Sequence, residues 1–169
     1  MNNLQLTQMP CAKAEMLIRR PVAEVFEAFI NPATTSKFWF SRGSGRLEVG
    51  KLVQWDWEMY DVSIQVSVKA IEENKRILIE WPGYDTPTMV EWIFTAREDN
   101  TTFVSITNTG FSGNGDEQVK QAIDSTEAFT LVLCGLKAFL EHNIILHLVA
   151  DRFPNNLRNA GVNGIPTSP

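Results

Sequence analysis

The sequence predicts an α+β fold in which an antiparallel sheet with one apolar face is covered by a long C-terminal helix. Three observations carry this expectation. Between Arg46 and Phe111 apolar and polar residues alternate, broken by polar turns at Asp61, Asn74, Pro82-Gly83 and Asp99-Asn100. The bulk in every strand points the same way, and a sheet with one face this apolar needs a cover. Val119, Ile123, Phe129, Leu133, Leu136 and Leu140 recur at helical spacing. They extend over about 28 residues, which at 1.5 Å each span about 40 Å, enough to cross the sheet.

Each element follows in order. Residues 1–12 have no pattern and read as a tail, after which Ala14, Met16 and Ile18 alternate with charged or bulky neighbours as a first strand. Pro21 suits the first turn of a helix, where its missing N–H is not needed. Val22, Val25, Phe26 and Phe29 then recur at helical spacing until Asn31-Pro32 stops them. A second short helical turn is expected through Thr34–Phe38, followed by glycine turns at Gly43, Gly45 and Gly50.

The strands come next. Val53, Trp55, Trp57 and Met59 share one face opposite Gln54, Asp56 and Glu58. Val62, Ile64, Val66, Val68 and Ala70 do the same in the following run, and Ile77, Ile79 and Trp81 continue the apolar side. Val90, Trp92, Phe94 and Ala96, then Val104, Ile106 and Asn108, complete the meander. Asn114 and Asp116, in the loop after Ser112-Gly113, are candidate caps for the long helix. Leu131, Val132, Ala138 and Phe139 fall off its main stripe, free to cover a tail or form a homodimer contact. The last stretch, 148–169, is rich in Pro, Asn and Gly and is expected to be a second tail, so that residues 13–147 form a single domain.

Composition narrows the function. The chain has 169 residues, 44% of them hydrophobic, enough for one core. Fifteen Lys plus Arg against twenty Asp plus Glu leave a net charge of −5, with no basic cluster to neutralise phosphates, so nucleic acid is not an expected partner. The longest nearly apolar run, Phe129 to Leu140, contains Lys137 and falls short of the roughly 20 residues a membrane span needs. No basic stretch followed by an apolar one opens the chain, so no secretory signal is expected. Cys11 and Cys134 form no metal or disulfide pattern and suit a reducing, cytoplasmic setting.

Catalytic signatures are sparse. His142 and His147 are the two histidines, both near the end of the long helix, where positive charge is tolerated. There is no nucleophile elbow, no glycine-rich phosphate loop and no zinc spacing, so neither a cofactor nor a metal is expected. Alternation puts Asp56 and Glu58 on the solvated face, and the helical stripe leaves Asp124 and Glu127 outside it, which disfavours buried acid–base roles.

Several segments together carry a family likeness: Arg20-Pro-Val-Ala-Glu-Val-Phe-Glu-Ala-Phe29, Lys37-Phe-Trp39, Glu48-Val-Gly-Lys51, Ile79-Glu-Trp81, Val90-Glu-Trp-Ile-Phe94, Thr107-Asn-Thr-Gly-Phe111 and Leu136-Lys-Ala-Phe-Leu-Glu-His142. In order and spacing the chain resembles the helix-grip fold of START-like proteins, and more specifically the activators of heat-shock-protein-90 ATPase homologues within the SRPBCC group. That likeness covers about residues 13 to 145. It implies a curved antiparallel sheet wrapped around the long C-terminal helix, with two short helices after the first strand. It departs from the family in placing Phe129 where a Trp usually opens the helix stripe. The eukaryotic co-chaperone members carry an additional N-terminal chaperone-binding domain that has no counterpart in these 169 residues.

Against that background the aromatic residues have two readings. As core filler, each buried aromatic contributes roughly 4 to 6 kcal/mol of transfer free energy. As the lining of the cavity that START-like folds commonly hold between sheet and helix, the candidates are Trp39, Trp55, Trp57, Trp81, Trp92, Phe94, Asn108, Phe129, Leu133 and Leu136. A dry cavity of about 300 Å³ would cost about 7 kcal/mol, so such a space would take water or a ligand. The expected ligand is a small hydrophobic or aromatic molecule, oriented by Asn108 or by indole N–H groups. Phe38, Trp39 and Phe40, between a helix and a glycine-rich loop, are placed to close one end. The resemblance implies two alternatives: a co-chaperone-like module that stimulates a heat-shock-protein-90-type ATPase, and a cofactor-free enzyme like polyketide cyclases and aromatases.

Overall fold

A computed structural model describes residues 5–83 and 85–154. Seven strands form one curved antiparallel sheet. They are β1 (Ala12–Ile18), β2 (Arg42–Gly43), β3 (Leu52–Trp57), β4 (Val62–Glu72), β5 (Arg76–Trp81), β6 (Thr88–Ala96) and β7 (Thr102–Thr109), in the spatial order β1-β7-β6-β5-β4-β3-β2. Consecutive strands from β3 to β7 pair as hairpins, while β1 returns to β7, with Ala12 opposite Asn108 and Ile18 opposite Thr102. The helices are α1 (Val22–Ile30), α2 (Pro32–Thr35), α3 (Gly115–His142) and α4 (Leu148–Arg152).

Local chemistry explains the junctions. Asn31 ends α1 with an extended backbone, and its side chain accepts from the Ala33 N–H to open α2, whose first residue is Pro32. Thr35, buried, donates to the Ala28 carbonyl at 2.6 Å and so ties the two short helices together. Asn114 and Glu117 form a reciprocal capping box at the start of α3, and Asn143 ends that helix in the left-handed conformation. Lys137 donates to the Leu17 carbonyl at 2.9 Å and Arg20 to the Leu140 carbonyl at 2.8 Å, locking the last turns of α3 to the end of β1. Burial alone would raise the Glu141 carboxyl, but hydrogen bonds from Lys137 and the Arg19 backbone hold it low.

Four sequence expectations change here. A register shift between Val68 and Ala70 turns Ala70 to the outer face and puts Ile71, opposite Ile77, on the inner one. Period-two alternation cannot anticipate one extra residue in a strand. On α3 the buried line runs through Ala122, Ser125, Phe129, Val132, Leu133, Gly135 and Leu136. Ile123, expected in the stripe, is 62% exposed, whereas Val132, expected outside it, is fully buried. Asp56 is buried, because β2 pairs alongside it with Arg42 opposite, and Arg42, Gln54 and Ser63 all donate to its carboxylate. Finally, Leu148–Arg152, within the expected tail, is helical. Val149 sits in the core, Tyr60 donates to its carbonyl, Arg152 pairs with Glu127, and Tyr60 meets the Phe153 ring. Residues 155–169 of that tail lie outside the described residues.

Candidate functional site

The layer between the sheet and α3 is an aromatic cluster assembled from four directions. Alternation on β3 aims Trp55 and Trp57 inward, and the same rule brings Trp81 from β5 and Trp92 and Phe94 from β6. Phe129, Leu133 and Leu136 descend from α3, and Phe26 and Phe29 enter from α1. Trp39 arrives from the turn after α2, where its backbone N–H donates to the Thr35 carbonyl at 3.0 Å. Gly135 makes room for that turn: a Cβ there would lie 3.1 Å from the Phe38 carbonyl oxygen.

Trp39 stands at the centre of the layer. Its ring centroid is 5.0 Å from Trp55, 5.8 Å from Phe129, 6.0 Å from Trp92 and 6.3 Å from Trp57. Trp81 lies parallel to it within 3°, at 6.1 Å. With Phe38 and Phe40 also buried, this segment packs into the interior. The loop folds in because a run of three aromatics buries too much apolar surface to stay at a rim.

Three indole groups in this layer are anomalous. The Nε1 atoms of Trp39, Trp57 and Trp92 are buried and have no hydrogen-bond partner among the described residues. Buried indole N–H groups usually find an acceptor, and each one left without costs about 1–3 kcal/mol. By contrast Asn108 is saturated as a donor. Its Nδ2 donates to Thr88 Oγ1 at 3.0 Å and to the Met89 carbonyl at 2.9 Å, and its Oδ1 accepts from Ser125 Oγ at 2.9 Å. This relay pins α3 to β6 and β7, and it leaves Asn108 no N–H to offer a ligand.

The candidate lining residues from the sequence therefore lie together: all but Asn108 belong to one buried hydrophobic cluster, and Asn108 is buried on the same inner face of β7. Sequence reasoning missed Phe29, which meets Phe38, Trp39, Trp92 and Phe94, although its spacing from Phe26 already put both on one helix face. It also missed Ser125, four residues before Phe129 and so on the same side of α3.

Charged groups are held elsewhere. Asp56 accepts from Ser63 at 2.7 Å, from Gln54 at 2.8 Å and from Arg42 at 3.0 and 3.1 Å. The Ser63 and Gln54 hydrogen bonds, then Arg42, hold its carboxyl below the usual carboxylate range, a state suited to a structural anchor and not to a general acid. Asp124 and Glu127 are solvent-side partners of Lys120 and Arg152. His142 and His147 are exposed. Cys11 and Cys134 are free thiols. Among the described residues no group of three or more His, Cys, Asp or Glu is placed to hold a metal, and no helix is long and apolar enough to cross a membrane.

Comparison with known proteins adds the following. Residues 19–141 match the family described as Activator of Hsp90 ATPase homolog 1-like protein. No relative is found among curated proteins. A Staphylococcus saprophyticus protein of known structure is 29% identical, with 80% of this chain and 95% of that chain covered and a TM-score of 0.70. The Aha1 dimer of Colwellia psychrerythraea is 19% identical over 79% of this chain and 98% of its own, with a TM-score of 0.67. CalU16 from Micromonospora echinospora is 15% identical over 88% and 93%, with a TM-score of 0.62. The last two similarities establish the fold alone.

Proposed function

The chain belongs to the family of Activator of Hsp90 ATPase homolog 1-like proteins, and from that premise we propose that it binds a small hydrophobic or aromatic molecule between its sheet and α3. One observation carries the reading: three buried indole N–H groups in a single aromatic layer have no acceptor among the described residues. Each such group costs stability, because its N–H is desolvated without an acceptor in return. A molecule that accepts from them recovers as binding energy what the folded chain forgoes. Trp55, Trp81, Phe94, Phe129, Leu133 and Leu136 then supply apolar walls, and Trp39, Trp57 and Trp92 supply orientation. Asn108 serves to hold α3 in place at the edge of that space.

The test is a thermal-shift and native-mass-spectrometry screen of the purified protein against small aromatic compounds. A ligand present at 100 times its Kd adds about 2.7 kcal/mol, which raises Tm by roughly 5–11 °C for a domain of this size. Absence of any copurifying mass and of any shift across the screen would refute the binding reading. The free thiols of Cys11 and Cys134 support a reducing, cytoplasmic location for this role.

The family match favours a second reading, in which the chain stimulates the ATP turnover of a heat-shock-protein-90-type chaperone. An ATPase assay with and without this protein separates the two, since a carrier leaves the chaperone's rate unchanged.

A further inference from the structure

We propose that the molecule held in the aromatic layer is a neutral, flat compound that carries two or more hydrogen-bond acceptors, such as carbonyl or ether oxygens, and presents no donor to the rings. This rests on the ligand-binding reading above and specifies its chemistry. Among the described residues, the unpartnered side-chain groups in this layer are of one kind only. Indole Nε1–H donates and cannot accept, and Trp39, Trp57 and Trp92 each contribute one. The polar side chains on the same inner layer are already committed to one another, Ser125 to Asn108 and Asn108 to Thr88. Among the described residues one further buried polar side-chain atom lacks a partner, Gln118 Oε1, eleven residues before Phe129 on α3, about 16 Å along the helix and so outside the ring cluster.

Three consequences follow from that asymmetry. A ligand acceptor pairs with an orphaned N–H, whereas a ligand donor facing the same N–H leaves both groups unpaired, so the site discriminates by polarity on a frame of fixed shape. The Trp57 and Trp92 rings pack against Trp39 with centroids 6.3 Å and 6.0 Å away, so the three donors belong to one contiguous layer of rings. The cluster residues are all uncharged, so an ionised ligand would be stripped of water without a counter-charge.

A matched series of tricyclic compounds tests this: fluorene with no polar atom, carbazole with a ring N–H donor, fluorenone with one acceptor oxygen and xanthone with two. Affinities are measured by equilibrium dialysis with mass-spectrometric quantification. The expected order is carbazole weakest, then fluorene, fluorenone and xanthone, with each paired acceptor worth roughly tenfold. In Trp57→Phe and Trp92→Phe, which keep an aromatic ring and remove the N–H, the ratio of xanthone to fluorene affinity should fall by about the same factor. In wild-type protein, both ligands shift indole N–H resonances by ring current, but xanthone should move them further downfield than fluorene does in nitrogen-15 spectra, a readout that does not depend on the variants folding. Equal binding of all four compounds, or a ratio unchanged by both substitutions, would overturn the acceptor requirement while leaving ligand binding intact. Failure of all four to bind, with another aromatic compound binding in the screen, would also overturn it; failure of every compound would remove the underlying reading as well.

Discussion

Trp39→Ala should behave as a core deletion. Trp39 is 3% exposed and its ring is surrounded by Phe29, Phe40, Trp55, Trp57, Trp81, Trp92 and Phe129. Truncating a buried Trp to Ala costs about 3–5 kcal/mol, part transfer free energy and part cavity. The substitution also removes an unpaired N–H, which returns about 1 kcal/mol. The expected net loss is therefore about 2–4 kcal/mol, a large share of the 5–15 kcal/mol typical of a domain. With a urea m-value of about 2 kcal/mol/M the midpoint falls by about 1–2 M. Far-UV circular dichroism is the suitable probe, because the substitution changes the tryptophan fluorescence itself. Trp55→Ala, 2% exposed and in the same cluster, should lose about 3–5 kcal/mol. A loss below about 1 kcal/mol for Trp39→Ala, beside a full loss for Trp55→Ala, would refute its central position and restore it to the mouth of the layer.

Further outcomes are expected away from the rings. Ser125→Ala leaves Asn108 Oδ1 buried without its donor and should cost about 1–3 kcal/mol, whereas in an Asn108→Leu background the same change should cost much less; additivity within 0.5 kcal/mol would show that the pair is uncoupled. The Asp56 carboxyl titrates below its unfolded value of about 3.9, so the stability it adds is present above that pH and is lost as pH falls through the lower folded value. Asp56→Asn should flatten the acid limb of a urea-midpoint against pH curve, and parallel curves for the two proteins would contradict the anchor role. Asn114→Ala removes one half of the α3 capping box and should cost about 1 kcal/mol, while Asn114→Gly should cost only a few tenths; equal losses would show that the side-chain hydrogen bond is not what stabilises that end.

The residues differ in how far their positions were legible without the structure. Trp55, Trp57, Trp81, Trp92 and Phe94 could be assigned to the inner face because strand alternation is a local, period-two property of the backbone. Their shared face, together with the stripe through Phe129, Leu133 and Leu136, was enough to predict a helix packed on a sheet. Ile71 could not be placed, because a bulge at residue 69 reverses the faces that follow and depends on the pairing with β5. Ile123 was misplaced because helical spacing identifies a face but not which part of it meets the sheet. There the small residues Ala122 and Ser125 make the contact. The sequence by itself therefore determined β1, α1, the strands from β3 to β7, the long α3 and most of their apolar faces, but neither β2 nor α4; what it did determine rests on neighbours a few positions apart. Only the tertiary structure decided that Trp39 lies at the centre of the cluster, that Asn108 is spent on Ser125 and Thr88, and that three indole N–H groups are left over. Whether a buried donor is satisfied depends on which distant groups arrive within about 3 Å of it, and no periodicity in the chain carries that information.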